Sequence, residues 1–162
     1  MISGKSHIER AKAMIQEASN IVILTGAGVS TNSGIPDFRG PQGVWTKNPL
    51  AEKMSDIRFY MSDPEVRRLA WQSRLQHPAL TAVPNGAHDA IAAFEGTGKL
   101  TCLVTQNIDG LHQAAGNTPG KVIEIHGTIH YVVCMSCKKR TRMKDELTRV
   151  SSGESDPKIG RA

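Results

Sequence analysis

Ile21-Val22-Ile23-Leu24 is a continuous apolar run that passes directly into Thr25-Gly26-Ala27-Gly28-Val29-Ser30. Such a run, rich in β-branched residues, suits a strand buried on both faces, as in a parallel sheet. Gly26 and Gly28 allow the backbone to turn tightly and to approach a ligand. Ser30 to Gly34 leads toward a helix N-terminus or nest, where N–H groups can hold a pyrophosphate. The spacing is not the common one. The next glycine after Gly28 is Gly34, whereas a dinucleotide fingerprint wants it about three residues on, with an acidic residue roughly twenty further. A P-loop wants Lys-Ser/Thr after its last glycine, which is absent here. Two glycines alone also fit a plain strand-to-loop turn.

The rest of the chain supports an α/β layer. Ser6 and Glu9 form a capping box for a helix over 7–18, whose Ile8, Ala11, Ile15 and Ala18 make one apolar face. Residues 34–48 read as loop from their Gly and Pro content, with Phe38 and Trp45 as a lid's anchors or as simple pins. Ser62-Asp63-Pro64-Glu65 starts a helix capped by Ser62 and ended by His77-Pro78. Pro84-Asn85 opens another, with Ala87, Ala90, Ile91 and Phe94 on one face. Leu100–Thr105 and Val122–Ile125 are two further buried-type strands, and Asp109 can cap a short helix over 110–115. This rhythm predicts a parallel sheet whose ligands lie past the strand C-termini, at Gly26, at Gln106–Asp109 and at His126.

Each of those residues has a bland reading beside a chemical one. Arg39 can clamp a phosphate or carboxylate, and Asp37 can orient a ribose or hold Arg39. A surface Asp–Arg pair serves equally, and both readings stay open. Gln106, Asn107 and Asp109 can bind hydroxyls or a carboxamide. Histidine as a residue type can serve as a general base near neutral pH, so His126 can take that role, or simply bond backbone. His7 and His88 read as helix-surface residues, His112 as part of a short polar helix, and His130 as a packing or surface residue. Cys102 reads as a small buried hydrophobe. Cys134-x-x-Cys137 is half of a tetrahedral zinc site, with a redox dithiol as rival.

Composition narrows the classes. The chain has 162 residues, enough for one core, and is 39% hydrophobic and 22% charged. Three cysteines and no signal peptide argue against a disulfide scaffold and for a cytoplasmic protein. No apolar stretch is long enough to cross a bilayer. The net charge of +5 owes much to Lys138-Lys139-Arg140-Thr141-Arg142 and Lys144. That run reads as a solvated surface loop. It lacks aromatic interleaving, and with aromatics at 4% nucleic acid is disfavoured as a partner.

Taken together, these segments resemble the sirtuin family of NAD-dependent protein lysine deacylases, with similarity to bacterial members. The residues that carry it are Gly26-Ala27-Gly28-Val29-Ser30, Ser33-Gly34-Ile35-Pro36-Asp37-Phe38-Arg39, Thr105-Gln106-Asn107-Ile108-Asp109-Gly110-Leu111-His112, His126-Gly127, and Cys134 with Cys137. Order and spacing agree from residue 8 to about 145. The resemblance implies a Rossmann-like parallel sheet with helices on both faces, followed by the start of a zinc-ribbon-like module. Residues 1–130 would be an incomplete NAD-binding and catalytic portion, 131–150 the first half of the zinc module, and 151–162 a flexible tail. NAD would be bound by Gly26, Ala27, Gly28, Ile35, Pro36, Asp37, Phe38, Arg39, Gln106, Asn107 and Asp109. The acyl oxygen of an acyl-lysine protein or peptide would attack the ribose carbon and expel nicotinamide. His126 would be the general base on a ribose hydroxyl, with Asn107 and Asp109 completing the catalytic set. Zn2+ would be structural, with Cys134 and Cys137 as two of its four ligands.

Two departures matter. Family members that remove succinyl or malonyl groups carry a tyrosine and an arginine three residues apart. Trp71 and Arg74 stand there here, so an acetyl or other uncharged acyl group is expected. Family members also continue with a second cysteine pair and further strands, and none follows residue 150. Weak or absent deacylase turnover is therefore expected of this chain alone. The alternatives are a non-catalytic sirtuin-like fragment with a binding or regulatory role, and mono-ADP-ribosyl transfer.

Overall fold

The computed structural model describes residues 6–159. Helix α1 (His7–Glu17) begins at the Ser6–Glu9 capping box, with both reciprocal bonds present. Strand β1 (Ile21–Thr25) follows, then a 3-10 helix over Ala27–Ser33. Four helices come next: α2 (Val44–Lys47), α3 (Pro49–Ser55), α4 (Ile57–Ser62) and α5 (Pro64–Leu75). Helix α6 (Gly86–Glu95), strand β2 (Leu100–Thr105), helix α7 (Leu111–Ala114) and strand β3 (Val122–Glu124) complete the first layer. A hairpin of β4 (Tyr131–Val133) and β5 (Arg140–Arg142) leads into α8 (Met143–Ser151). Among the described residues, no helix is long and apolar enough to cross a membrane.

Strands β1, β2 and β3 form one parallel sheet in that order, with Thr25 opposite Thr105 and Thr105 opposite Glu124. Because all three run the same way, their C-terminal ends open on one edge, as expected. Period-2 alternation then divides the side chains. Leu103 is wholly buried on one face, whereas Val22, Leu24 and Ile123 on the other are 60%, 64% and 48% exposed. The expectation that Ile21–Leu24 is covered on both faces therefore holds on one only. The apolar stripe of α1 is likewise uncovered, since none of its residues is buried. The helix is anchored instead by Lys99 Nζ, which donates to the carbonyls of Ile15 (3.3 Å) and Gln16 (2.5 Å). A cation there complements the partial negative charge of a helix C-terminus.

A second apolar centre joins α5 to the hairpin and α8. Trp71, Ala79, Ile129, Met143 and Val150 are all buried in it. Burial at this scale contributes roughly 25 cal/mol per Å2 of apolar surface removed from water, which fixes the hairpin against the helices.

Several local expectations are corrected. Residues 34–48 were expected as loop, but Val44–Lys47 forms a helical turn. The cap of α5 is Asp63, whose carboxylate accepts from Glu65 and Val66 N–H, and Ser62 closes α4 instead. Asp at the position before Pro64 outcompetes Ser because its carboxylate reaches two orphan N–H groups at once. Of the basic run, Lys138 and Lys139 lie in the β4–β5 connection as expected, whereas Arg140–Arg142 form strand β5 and Lys144 lies in α8. The tail expected to be loose spans 151–162, of which 160–162 lie outside the described residues; within 151–159, Asp156 ties the chain back by taking Arg67 Nε and Nη2 at 2.8 and 2.9 Å.

Candidate functional site

The open edge of the sheet is built on a buried polar network. Ser30 is its hub. Its hydroxyl donates to Asp109 Oδ2 at 2.7 Å and accepts from Asn107 Nδ2 at 3.0 Å. Asn107 Nδ2 also donates to the Gly26 carbonyl at 3.1 Å, so both amide protons of Asn107 point into the protein. The other carboxylate oxygen of Asp109, Oδ1, accepts from Leu111 N–H at 3.0 Å and starts α7. Ser30, Asn107 and Asp109 are all buried. Asn107 and Asp109 thus hold the glycine turn and the loop after β2 against each other.

Two histidines complete the network, and His88 corrects the expectation of a helix-surface position. His88 is fully buried and His112 is 1% exposed, with ring centroids 4.9 Å apart. His88 Nδ1 accepts from Asn85 N–H at 3.3 Å, so the neutral ring carries its proton on Nε2, 3.5 Å from Ser30 Oγ. Thr25 Oγ1 donates to Thr105 Oγ1 at 2.9 Å and therefore accepts from His112 Nε2–H, also at 2.9 Å. His112 Nδ1 is then a buried lone pair without a hydrogen-bond partner among the described residues. Burial, reinforced by the neighbouring His88, pushes the His112 pKa down to about 4 against the pull of Asp109. Burial lowers His88 as well. Both rings are neutral at pH 7.

His126 differs from both. It is exposed, and its Nδ1 lies 3.0 Å from the Gln106 carbonyl. A carbonyl only accepts, so Nδ1 carries the proton and Nε2 keeps a lone pair toward the edge. This is the arrangement of a general base held by backbone.

The glycine turn shows why glycine stands there. Gly26 is extended at φ −137°, and Gly28 lies inside the 3-10 helix that Ala27 begins. Neither needs a left-handed backbone. A Cβ placed on either would meet nothing within 4 Å. The protein itself leaves that space bare, which fits a ligand's close approach rather than a folding requirement.

The covering loop is compact. Asp37 Oδ1 accepts from Gly40 N–H at 3.0 Å, and the Arg39 guanidinium lies 4.5 Å from the Trp45 ring centre. Phe38 meets the same ring at 4.8 Å. Gly43 is required here, because a Cβ would sit 2.5 Å from the Phe38 backbone. Arg39 therefore stacks on Trp45 instead of pairing with Asp37. Ile35 leaves this loop to pack against the Trp71 centre.

The remaining expected residues lie on α5 and on the β4–β5 hairpin. Trp71 is 1% exposed, inside the apolar centre. Arg74 is flanked by Tyr60 and Trp71 at 5.0 and 4.9 Å. Trp71 Nε1 and Arg74 Nη1 are buried donors without a hydrogen-bond acceptor among the described residues. Cys137 N–H points at Cys134 Sγ (3.5 Å) across the β4–β5 turn. Two thiols supply half of a tetrahedral set. Among the described residues no group of three or more metal-capable side chains forms, so these residues alone do not make a closed zinc site.

A family profile described as the Sir2 family matches residues 26–158. NAD-dependent protein deacetylase 2 of Streptomyces coelicolor is 51% identical over 137 residues, covering 85% of this chain and 57% of the relative. NAD-dependent protein deacetylase 1 of Pyrobaculum aerophilum is 45% identical over 155 residues, covering 94% and 59%. A solved Sir2 mutant with deacetylated p53 peptide and 3′-O-acetyl ADP ribose superposes with TM-score 0.84 at 36% identity, covering 96% of this chain and 61% of that one. A Sir2 homologue in complex with ADP ribose gives 0.74 at 37% identity, covering 93% and 55%. The chain spans under two thirds of the length of these relatives.

Proposed function

Because the chain belongs to the Sir2 family, we propose that it serves the NAD-dependent removal of acyl groups, acetyl foremost, from protein lysine, with release of nicotinamide and O-acyl-ADP-ribose. The observation that carries this reading is the tautomer of His126: with Nδ1–H held on the Gln106 carbonyl, Nε2 is left to take a proton at the strand edge. The names of the relatives and the acetyl-ADP-ribose of the structural neighbour support the same chemistry.

NAD, as co-substrate, supplies the ribose carbon at which nicotinamide is exchanged for the acyl oxygen. The chain's own residues bind and orient. The bare backbone at Gly26, Ala27 and Gly28 accepts the phosphates. The loop from Ile35 to Trp45, with Asp37 and Arg39, covers the nicotinamide end and excludes water. Gln106 flanks the ribose. Asn107 and Asp109 act through the turn they hold, by way of Ser30. His126 Nε2 removes a ribose hydroxyl proton. Trp71 and Arg74 border the acyl side, where the indole in place of a phenol favours acetyl over succinyl. Cys134 and Cys137 contribute two ligands to a structural zinc. The protein works in the cytoplasm on acyl-lysine proteins.

Incubation with NAD and an acetyl-lysine peptide, read by mass spectrometry, tests this. Slow peptide-dependent release of nicotinamide and O-acetyl-ADP-ribose is expected of these residues alone, at least ~100-fold reduced in His126→Ala, whose melting curve stays unchanged because the ring is exposed. Acyl peptide left intact while ADP-ribose is transferred to protein would overturn the reading, as would turnover unaffected by His126→Ala.

A further inference from the structure

A groove of about 580 Å3 runs between the end of α5 and α8. That volume falls in the ~300–1,000 Å3 range of ligand clefts. Its floor is apolar: Leu75, Leu80, Met143 and Leu147. Its rim is cationic: Arg142 and Lys144 line it, and no carboxylate does. Arg142 is engaged by Asp145 at 3.0 Å on an exposed surface, while Lys144 has no such counter-ion in the structure's ion pairs among the described residues. The cationic character continues along β5, where the Arg140 guanidinium lies 3.8 Å over the ring of Tyr131, itself a lining residue. Lys138 and Lys139 follow in the turn. The C-terminal end of the basic run, Arg142 with Lys144, thus borders an apolar groove, while Lys138, Lys139 and Arg140 stay exposed beside it.

We propose that this groove docks an acidic amphipathic peptide segment of a partner protein. Its apolar side chains enter between Leu75, Leu80 and Leu147, and its carboxylates meet Lys144, Arg142 and Arg140. An apolar floor supplies burial without selecting charge, and the one-signed rim supplies the selection. A purely polyanionic ligand gains nothing from the floor, and a basic segment is repelled by the rim. None of the residues assigned to the acyl-lysine chemistry lines the groove.

Fluorescence anisotropy with the full chain tests the proposal. The probe is a labelled twelve-residue peptide of alternating Leu-Leu and Glu-Glu pairs. Controls replace every Leu by Ser, or every Glu by Lys. The Leu/Glu probe is expected to bind at least ~tenfold tighter than either control, and to weaken with added salt. Lys144→Glu and Thr148→Glu each place a carboxylate at the exposed rim and are expected to weaken binding by roughly tenfold. Far-UV circular dichroism melts of both variants should match the parent, since neither side chain is buried. Equal binding of the Ser control would reduce the site to a plain basic patch and overturn the proposal. Binding of decanoate with no binding of the peptide, or probe binding indifferent to both substitutions, would overturn it as well.

Discussion

Acid should destabilise this protein through one ring. His112 is buried with Nε2–H on Thr25 and with no acceptor at Nδ1. Its pKa falls from 6.5 to about 4 in the folded state. A group depressed on folding favours the folded state fully above its unfolded value, and that advantage is lost as pH falls toward the folded value. Each pH unit between the two costs ~1.4 kcal/mol, so lowering the pH from 7 to 4.5 should remove on the order of 2–3 kcal/mol. Carboxylates titrate in the same window, so the comparison must be differential. His112→Gln keeps an N–H donor for Thr25 Oγ1 and removes the titrating nitrogen. Urea unfolding at pH 7 and pH 4.5 measures both proteins. The parent should lose about 2–3 kcal/mol more than the variant over that interval. His88, whose neutral form is favoured by the same burial, is present in both proteins and cancels from this difference. Equal losses for parent and variant would refute the reasoning, because a neutral buried ring with an orphaned lone pair cannot titrate freely.

Ser30→Ala removes the hydroxyl between Asp109, Asn107 and His88 and should cost ~1.5–3 kcal/mol, the value of a hydrogen bond to a charged acceptor, read as a lower urea midpoint with unchanged slope. Asp156→Ala should cost about 1 kcal/mol, the upper end for a partly exposed ion pair, and should make the segment after Ser151 sensitive to limited proteolysis while leaving the strand edge intact.

The layered architecture was legible because each strand announces itself by a continuous apolar run and each helix by a cap. Ser6 with Glu9 and Asn85 before Gly86 are cases where one polar residue sets a boundary by satisfying orphan N–H groups. The edge itself was legible because parallel strands must end together. What was not legible was direction. Asn107 and Asp109 read as ligand contacts in the sequence, and only the fold shows that they also bond Ser30 and Gly26. His88 was hidden because its burial depends on Ser30, 58 residues earlier. One local signal existed: His88 is the third residue of a helix capped by Asn85, where a ring reaches back to the cap's N–H. The short helices α3 and α4 were missed because Asn48 and Asp56 cap segments too brief to show a helical period.

The claim at the centre is that Gly26 and Gly28 serve a ligand and not the fold. Calorimetric titration of NAD into the parent and into Gly28→Ala tests it most directly. A Cβ at this position meets no protein atom within 4 Å, so the variant should melt at the same temperature or slightly higher, by up to ~1 kcal/mol of stability. NAD binding should be seen in the parent and lost in the variant. Equal NAD binding by both proteins, with both folded, would contradict the assignment of this turn to the dinucleotide.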